Sequence, residues 1–316
     1  MVIVFTLRIT DLMKEELQNS FPNVKFLFRP STSAAKDIIH HADVIVSLGA
    51  VKEELIRKAK GLRWIQICSV GVEKLPLDLL REKKIELTNA KGIQTIPMAE
   101  YTIGSILQFS RNSYQLYKNQ NNGIWDRKVE IDEIFRKTIG IIGTGTIGQG
   151  IAKMGKACGM HVLGVNTTGT KLPYFDKTVD KTKMEDVLVE SDYVVVITPS
   201  TPDTEGLIGT KQIQKMKNNA VLINIARGAV VDEDALILAL QERKIRGAVL
   251  DVFEQEPLPE NHPFWELENV IITPHIAAKS PMYTERVIDM FKRNLQLFIE
   301  HKPELMENRV NVMKGY

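Results

Sequence analysis

The segment 138–148 constrains the fold of this chain more than any other feature. It runs from an apolar stretch through Gly143, Gly145 and Gly148, a G-x-G-x-x-G pattern, into a helix-like segment over 147–158. The first glycine allows a tight turn, the second lets backbone approach a pyrophosphate, and the third lets the helix pack against the strand. Backbone N–H groups and the helix dipole then attract a phosphate. The pattern predicts a dinucleotide-binding turn; an S-adenosylmethionine-dependent methyltransferase uses a similar turn and stays open at this point.

Two series of strand-like apolar runs alternate with amphipathic segments along the chain. The first series has five runs, at 2–5, 24–28, 44–48, 64–67 and 85–87. Helix-like segments lie between them, near 11–18, 33–40 and 52–60. The second series has six runs, at 139–142, 161–165, 193–197, 221–225, 247–250 and 270–272. Such alternation predicts an α/β protein with two doubly wound parallel sheets, Rossmann-like and flavodoxin-like, and a cleft between them.

Two long helical patterns, at 97–118 and 281–301, flank the second series. The simplest assembly inserts the domain of the second series into the domain of the first. We therefore expect a discontinuous substrate domain, 1–97 plus 284–316, and an inserted dinucleotide-binding domain at 98–283.

Charge and cysteine usage exclude several classes of partner. The 41 basic and 39 acidic residues leave a formal net charge of +2, too small a field to indicate nucleic acid or a membrane surface. Cys68 and Cys158 lie in separate segments and form no disulfide framework, which suits a reducing cytoplasm. The N-terminus is typical of a buried strand rather than a signal peptide. No HExxH motif or Cys/His cluster indicates a metal. We therefore expect a cytoplasmic, metal-independent protein.

The end of the second strand of the later series bears on the choice of cofactor. An acidic residue there would bind the ribose 2′-hydroxyl of NAD, but this chain has Asn166, Thr167 and Thr168, followed by Lys171. No carboxylate repels a 2′-phosphate, and these side chains can donate hydrogen bonds or add positive charge. The sequence favours NADP(H) and leaves NAD(H) open.

Three later strands end in residues that can carry chemistry. Arg227 follows one strand, Asp251, Glu254 and Glu256 follow another, and His275 follows a third. Ligands in open α/β sheets bind beyond the carboxyl ends of the strands. Side chains from three strand ends therefore form a candidate site.

The sequence resembles the D-isomer-specific 2-hydroxy acid dehydrogenases over nearly the whole chain. That family includes glyoxylate/hydroxypyruvate reductases, D-lactate dehydrogenases and phosphoglycerate dehydrogenases. Besides the segments above, the resemblance includes Ser-Val-Gly-Val-Glu at 69–73, Thr-Asn-Ala at 88–90, Ala-Glu at 99–100 and Thr-Pro-Ser-Thr-Pro-Asp-Thr at 198–204. It implies that Arg227, Glu256 and His275 are catalytic; Glu254 does not match the catalytic position.

The expected chemistry gives each of the three a role. Reduction of a 2-keto acid delivers a hydride to the carbonyl carbon and a proton to its oxygen. His275 is the expected general acid, and Glu256 would fix its tautomer and favour its protonated form. Arg227 would bind the substrate carboxylate and polarise the carbonyl. Oxidation would reverse these roles, with the neutral His275 ring as base.

The resemblance also implies the residues around the reactants. Those expected to bind the cofactor are Gly143, Gly145, Thr146, Ile147, Gly148, Asn166, Thr167, Thr168, Thr198, Pro199, Thr204, Ala226, Asp251 and Ala277. Asp251 matches a residue that approaches the nicotinamide carboxamide. Val70 and Gly71 are expected to offer backbone N–H groups to the substrate carboxylate, with Leu48 and Gly49 lining the pocket nearby.

Several alternatives stay open. Within the family, formate dehydrogenase is disfavoured because it has Gln at the position of Glu256, and a phosphoglycerate dehydrogenase with a regulatory domain is disfavoured because the chain stops soon after 281–301. Short phosphoglycerate enzymes stay open. A dinucleotide-sensing binding protein of the corepressor type is the alternative from another class, and turnover of keto acids discriminates it. The resemblance favours a homodimer, with 97–118 and 119–127 near the interface.

Overall fold

The computed structural model describes residues 1–72 and 74–311. Glu73, part of one motif that carries the resemblance, lies outside the described residues, as does the end of the expected substrate domain, 312–316.

The chain forms two compact units. Unit 1 comprises Met1–Ile93 and the chain from Ser280 onward, and unit 2 comprises Gln94–Lys279. The two crossings expected from the sequence fall slightly later, after residues 97 and 283.

Unit 1 is built on five parallel strands. These are β1 (Val2–Thr6), β2 (Lys25–Phe28), β3 (Val44–Ser47), β4 (Trp64–Ile67) and β5 (Glu86–Thr88). Three helices accompany them: α1 (Asp11–Ser20), α2 (Glu53–Lys58) and α3 (Leu77–Glu82). The strand order β2-β1-β3-β4-β5 is the flavodoxin-like one.

Unit 2 is built on seven parallel strands. These are β6 (Thr138–Ile142), β7 (His161–Asn166), β8 (Lys177–Asp180), β9 (Tyr193–Val196), β10 (Val221–Asn224), β11 (Gly247–Leu250) and β12 (Val270–Ile272). Its helices are α4 (Thr95–Ser110), α5 (Ser113–Asn121), α6 (Thr146–Ala157), α7 (Met184–Glu190), α8 (Thr210–Lys215) and α9 (Glu233–Gln241). The order β12-β11-β10-β9-β6-β7-β8 reverses between β6 and β9, which is the switch point of a doubly wound sheet.

After unit 2 the chain re-enters unit 1 with α10 (Tyr283–Ile299). Successive residues of a strand face opposite sides of its sheet, and β1 shows this directly. Ile3 and Phe5 lie in the same apolar cluster as Phe291 of α10, and Val4 lies in a second cluster on the other face. Phe5 and Phe291 meet edge to face with ring centroids 5.3 Å apart. Each unit thus has two apolar layers, one on each side of its sheet, and the expected fold class of two doubly wound parallel sheets is confirmed.

Three local expectations were wrong. The segment 33–40 is not one helix but two short 3-10 turns, Ser33–Ala35 and Ile39–His41, because it buries too little apolar surface to stabilise a full helix. The pattern 97–118 is two helices, since Asn112 takes a left-handed conformation (φ 49°) between α4 and α5 that asparagine tolerates. The second sheet has seven strands rather than six. The additional strand, β8, was not predicted because it carries one buried apolar residue and no periodic signal. Among the described residues, no helix is both long enough and apolar enough to cross a membrane.

Candidate active site

The glycine turn after β6 has three distinct geometries. Gly143 has φ +110°, and a Cβ there would lie 2.6 Å from the Ile197 carbonyl oxygen after β9. A Cβ on Gly148 would lie 2.1 Å from the carbonyl oxygen of Gly143. At Gly145, by contrast, a Cβ would meet no described atom within 4 Å. The first and third glycines are therefore required by the turn itself, whereas the second leaves open space beside the N-terminus of α6, as a phosphate site requires.

Thr198, at the switch point beside this turn, has an unpaired hydroxyl. Its Oγ1 is buried and has no hydrogen-bond partner among the described residues. Buried polar atoms in proteins nearly always have a partner, so this hydroxyl fits a site completed by a ligand. Nearby, Thr204 donates from its hydroxyl to the Pro199 carbonyl at 2.7 Å, which holds the turn after β9. Thr146 and Ile147 form the first turn of α6.

Asn166, at the end of β7, organises the loop that follows it. Its Oδ1 accepts hydrogen bonds from the backbone N–H groups of Thr168 (3.0 Å) and Gly169 (2.6 Å). Its Nδ2 donates to the Thr144 hydroxyl and to the Thr170 carbonyl, both at 3.1 Å. Asn166 is thus engaged within the protein and ties the loop to the glycine turn. Thr167, Thr168 and Lys171 are exposed.

Arg227 follows β10 on a turn that Asn224 holds. The buried Asn224 side chain accepts from the Ala226 N–H and donates to the Arg227 carbonyl, both at 3.1 Å. A Cβ on the next residue, Gly228, would lie 1.9 Å from the Phe253 carbonyl carbon. The turn that carries Arg227 therefore lies directly against the loop that leads to Glu256.

Glu256 and His275 form a hydrogen-bonded pair. Glu256 Oε2 lies 2.7 Å from Nδ1 of His275, and Glu256 Oε1 accepts from the Phe253 N–H at 3.1 Å. Partial burial raises the pKa of the Glu256 carboxyl. The hydrogen bonds from His275 and Phe253, together with the charges of His275 and Arg227, outweigh that effect and hold the pKa below its ordinary value. The carboxylate occupies Nδ1, and Nε2 of the ring has no hydrogen-bond partner among the described residues.

Asp251 supports the loop that carries His275. Its buried carboxylate accepts from the Thr273 hydroxyl and from the backbone N–H groups of Ile276 and Ala277, each of the latter at 2.8 Å. Thr273 is also hydrogen-bonded to the Tyr101 hydroxyl of α4 at 2.6 Å. The sequence does not identify Tyr101 and Thr273 as site residues, because no local pattern marks a contact between residues so far apart in the chain.

His275 itself has φ +54°, in the left-handed region. Non-glycine residues adopt this region infrequently and keep it where surrounding contacts hold it. The His275 N–H donates to the Asp251 carbonyl at 2.9 Å, so Asp251 holds the histidine through its main chain as well as its carboxylate.

The residues expected to contact substrate from the other half of the chain lie in unit 1. Leu48 and Gly49 follow β3 and line a cavity of about 480 Å³ formed by unit 1 residues. Val70 and Gly71 follow β4 and are exposed, and their N–H groups donate to no other group within the described part of the chain. Over that same part, no group of three or more His, Cys, Asp and Glu side chains is placed to hold a metal ion.

Comparison with known proteins assigns the chain to a family. Residues 103–277 match the family model described as D-isomer specific 2-hydroxyacid dehydrogenase, NAD binding domain. The chain belongs to the D-isomer specific 2-hydroxyacid dehydrogenase family. The expected resemblance is thus confirmed, and the matched residues lie wholly within unit 2.

Named relatives and a solved structure agree with this family. The chain is 35% identical to a glyoxylate reductase of Thermofilum pendens over 82% of this chain and 79% of the relative. It is also 35% identical to a D-3-phosphoglycerate dehydrogenase of Methanocaldococcus jannaschii, over 88% of this chain and 55% of the relative. The chain thus spans about half the length of that dehydrogenase. A crystal structure of a D-isomer specific 2-hydroxyacid dehydrogenase family protein from Aeromonas salmonicida superposes with a TM-score of 0.82 at 31% identity, covering 98% of this chain and 99% of that one.

Proposed function

We propose that this protein is an NAD(P)-dependent oxidoreductase that interconverts a small 2-keto acid and the corresponding D-2-hydroxy acid. The observation that carries the proposal is the 2.7 Å contact between Glu256 and Nδ1 of His275. The Glu256 carboxylate orients the imidazole, which suits proton transfer to the carbonyl oxygen of a substrate. The turn beside it carries Arg227, whose guanidinium can bind the carboxylate of a 2-keto acid.

Each side chain has a definite task in the reduction. The reduced dinucleotide, when bound, supplies the hydride that adds to the carbonyl carbon. His275 donates its proton from Nε2 to the carbonyl oxygen, so that a hydroxyl group forms and the ring becomes neutral. Glu256 stabilises the imidazolium before the transfer. Arg227 binds the carboxylate of the keto acid and polarises the carbonyl beside it. The backbone N–H groups of Val70 and Gly71 are further candidate donors to the substrate.

The cofactor assignment rests on how well unit 2 fits a dinucleotide. Open space beside Gly145 and the N-terminus of α6 suit a pyrophosphate, and the unpaired Thr198 hydroxyl suits a polar group of the cofactor. We favour NADP(H) over NAD(H) because residues 166–171, at the end of β7, include no carboxylate and do include Lys171. Asn166→Asp tests this choice: the change keeps the oxygen that accepts from the loop, adds a charge that repels a 2′-phosphate, and should shift kcat/KM toward NADH. A wild-type enzyme that already prefers NADH contradicts the choice.

Turnover tests the function itself. Oxidation of NADPH and NADH is followed with glyoxylate, hydroxypyruvate, pyruvate and bulkier keto acids, for wild type and His275→Asn. We expect turnover by wild type and a loss of about 10²–10⁴-fold in kcat for the variant, the usual contribution of general acid–base catalysis. Cofactor binding with no turnover across the panel would contradict the proposal and favour a nucleotide-sensing protein.

We also infer that the protein forms a homodimer through α5 and the segment after it. Large apolar side chains are exposed there, among them Tyr117, Ile124 and Trp125, the last with 90% of its surface accessible. Clustered exposed apolar residues are typical of an interface. Sedimentation of wild type and Trp125→Asp is the check: a wild-type monomer at assay concentration contradicts the inference.

A further inference from the structure

The cavity in unit 1 is larger than a two-carbon keto acid needs. Its volume of about 480 Å³ falls within the range, roughly 300–1,000 Å³, of pockets that hold drug-sized ligands. Leu48 and Gly49, expected to contact substrate, line it together with residues that follow β1 and β2. The cavity therefore extends the expected substrate pocket across the carboxyl ends of neighbouring strands.

Most hydroxyl groups on the cavity wall are already engaged by the protein. Thr6 donates to the Val46 carbonyl at 3.2 Å. Ser47 donates to the Gly49 carbonyl at 2.8 Å, and the Tyr283 hydroxyl donates to a third backbone carbonyl. Because these hydrogens are used internally, this part of the wall offers mainly apolar contact to a ligand.

Arg8, which follows β1, differs from the rest of the lining. It is the one charged side chain among the described residues that line the cavity. Its guanidinium is exposed and makes no hydrogen bond or ion pair with any other residue that the structure describes. No described residue on the cavity wall carries a carboxylate, and burial raises the pKa of the Cys68 thiol to about 12, so that side chain stays neutral as well. Among the described lining residues, an anion in this cavity thus meets one cation and no negative charge.

We propose that Arg8 binds a second anionic group of the substrate, so that the preferred substrates are 2-keto acids with a carboxylate or a phosphate at the far end. This inference rests on the proposed function, in which the N–H groups of Val70 and Gly71 are donors to the first carboxylate. The planar guanidinium matches either oxyanion with two parallel hydrogen bonds. The apolar wall then contacts the carbon chain between the two anions.

Matched pairs of substrates test the inference. For wild type, kcat/KM is compared between 2-oxoglutarate and its 5-amide, 2-oxoglutaramate, which differ in charge and little in shape. A second pair, 3-phosphohydroxypyruvate and hydroxypyruvate, tests a phosphate. We expect a preference of roughly 10-fold or more for the anionic member of at least one pair, and the pair that shows it identifies the anion.

Substitutions then assign the preference to Arg8. Arg8→Gln should lower the ratio of kcat/KM between anionic and neutral members by about 10–100-fold. Arg8→Lys should retain part of it, because lysine keeps the charge but not the planar fork. The matched control is Arg57→Gln, since Arg57 is exposed on α2, pairs with Glu53 and lies outside the cavity lining; it should leave the ratio unchanged. Thermal melting checks that each variant is folded.

The outcomes separate this inference from the proposed function. Turnover of hydroxypyruvate with no preference for an anionic member of either pair overturns the role of Arg8 and leaves the function standing. A preference that Arg8→Gln does not reduce also overturns it. If wild type reduces no keto acid at all, the proposed function fails and this inference fails with it.

Discussion

Glu256→Gln separates the charge of this side chain from its shape. The amide oxygen of the variant can still accept the Phe253 N–H, as Oε1 of the carboxylate does at 3.1 Å. The amide NH₂ group then faces Nδ1 of His275, where Oε2 lies 2.7 Å away in the wild type. An NH₂ group donates and does not accept. The protonated ring, which donates from both nitrogens, therefore loses its partner in the variant.

The distance and the exposure of the pair set the expected magnitude. Two unit charges about 4 Å apart interact by about 4 kcal/mol at an effective dielectric constant near 20 and by about 1 kcal/mol in water. The side chains of His275 and Glu256 are 48% and 37% exposed, so solvent screening places the pair toward the lower value, at about 1–3 kcal/mol. With about 1.36 kcal/mol for each factor of ten, kcat for reduction should fall roughly 5- to 150-fold.

The pH dependence has a definite sign. Partial burial raises the pKa of the Glu256 carboxyl, but the hydrogen bonds from His275 and Phe253 and the nearby positive charges keep the pKa below 4.5. A lowered carboxyl pKa stabilises the fold above the pH at which the unfolded carboxyl titrates, and that contribution is lost only as pH falls through the folded value. Glu256 is therefore charged at neutral pH. In the proposed reduction the ring of His275 must be protonated, and in Glu256→Gln the protonated ring lacks its carboxylate partner. The loss of kcat in the variant should therefore grow as pH rises and shrink as pH falls.

The assay is steady-state reduction of a keto acid by the reduced dinucleotide at pH values from about 5.5 to about 9. Glu254→Gln is the control, because it removes a carboxylate from the same loop without touching His275. Burial and the negative charges of Glu233 and its neighbours raise the pKa of Glu254, so neutralising it relieves repulsion and should leave kcat within about twofold. A Glu256→Gln deficit that is absent, or equal at every pH, would refute the reasoning.

Two further predictions follow from close contacts in unit 2. Gly148→Ala should lower Tm and abolish dinucleotide binding, because its Cβ would lie 2.1 Å from the Gly143 carbonyl oxygen. Gly145→Ala should keep the wild-type Tm and only weaken binding, because its Cβ would meet no described atom within 4 Å. Melting curves and cofactor titration check both variants, and equal Tm values for the two contradict the assignment. Thr273→Val removes the hydroxyl that donates to Asp251 and should lower the free energy of unfolding by about 1–3 kcal/mol, or about 2–4 °C in Tm for each kcal/mol. Calorimetry measures the change, and an unchanged Tm contradicts it.

Strands that are buried on both faces could be predicted closely from the sequence. The runs at 64–67 and 247–250 coincide with β4 and β11, because continuous apolar stretches between turns are typical of a central parallel strand. β8 was not predicted because Val179 is its one apolar residue, and Lys177, Thr178 and Asp180 are polar. A strand with a single apolar side chain gives no hydrophobic pattern, whereas the edge strand β12 reads Val-Ile-Ile and was predicted.

The candidate site shows a similar division. Gly143, Gly145 and Gly148 could be assigned separate tasks from their spacing alone, and the contacts that a Cβ would make at each agree with those tasks. The support of the histidine loop could not be predicted in this way. Tyr101 and Thr273 are separated by 172 positions, and their hydrogen bond exists only because the fold brings α4 beside the end of β12. Likewise, the sequence predicts Asn166 as a cofactor ligand but does not predict that its amide group also donates to Thr144 and Thr170.

The spacing between Arg227 and Glu256 depends on a residue with no side chain. At Gly228 a Cβ would lie 1.9 Å from the Phe253 carbonyl carbon and 2.2 Å from the Glu254 nitrogen, which no adjustment of a side chain can relieve because both atoms are backbone. Any other residue at 228 must therefore move the turn of Arg227 away from the loop of Glu256. Shifts of about 1 Å in catalytic geometry can cost on the order of 10²-fold in rate. Glycine at this position thus sets how closely the turn of Arg227 can pack against the loop of Glu256.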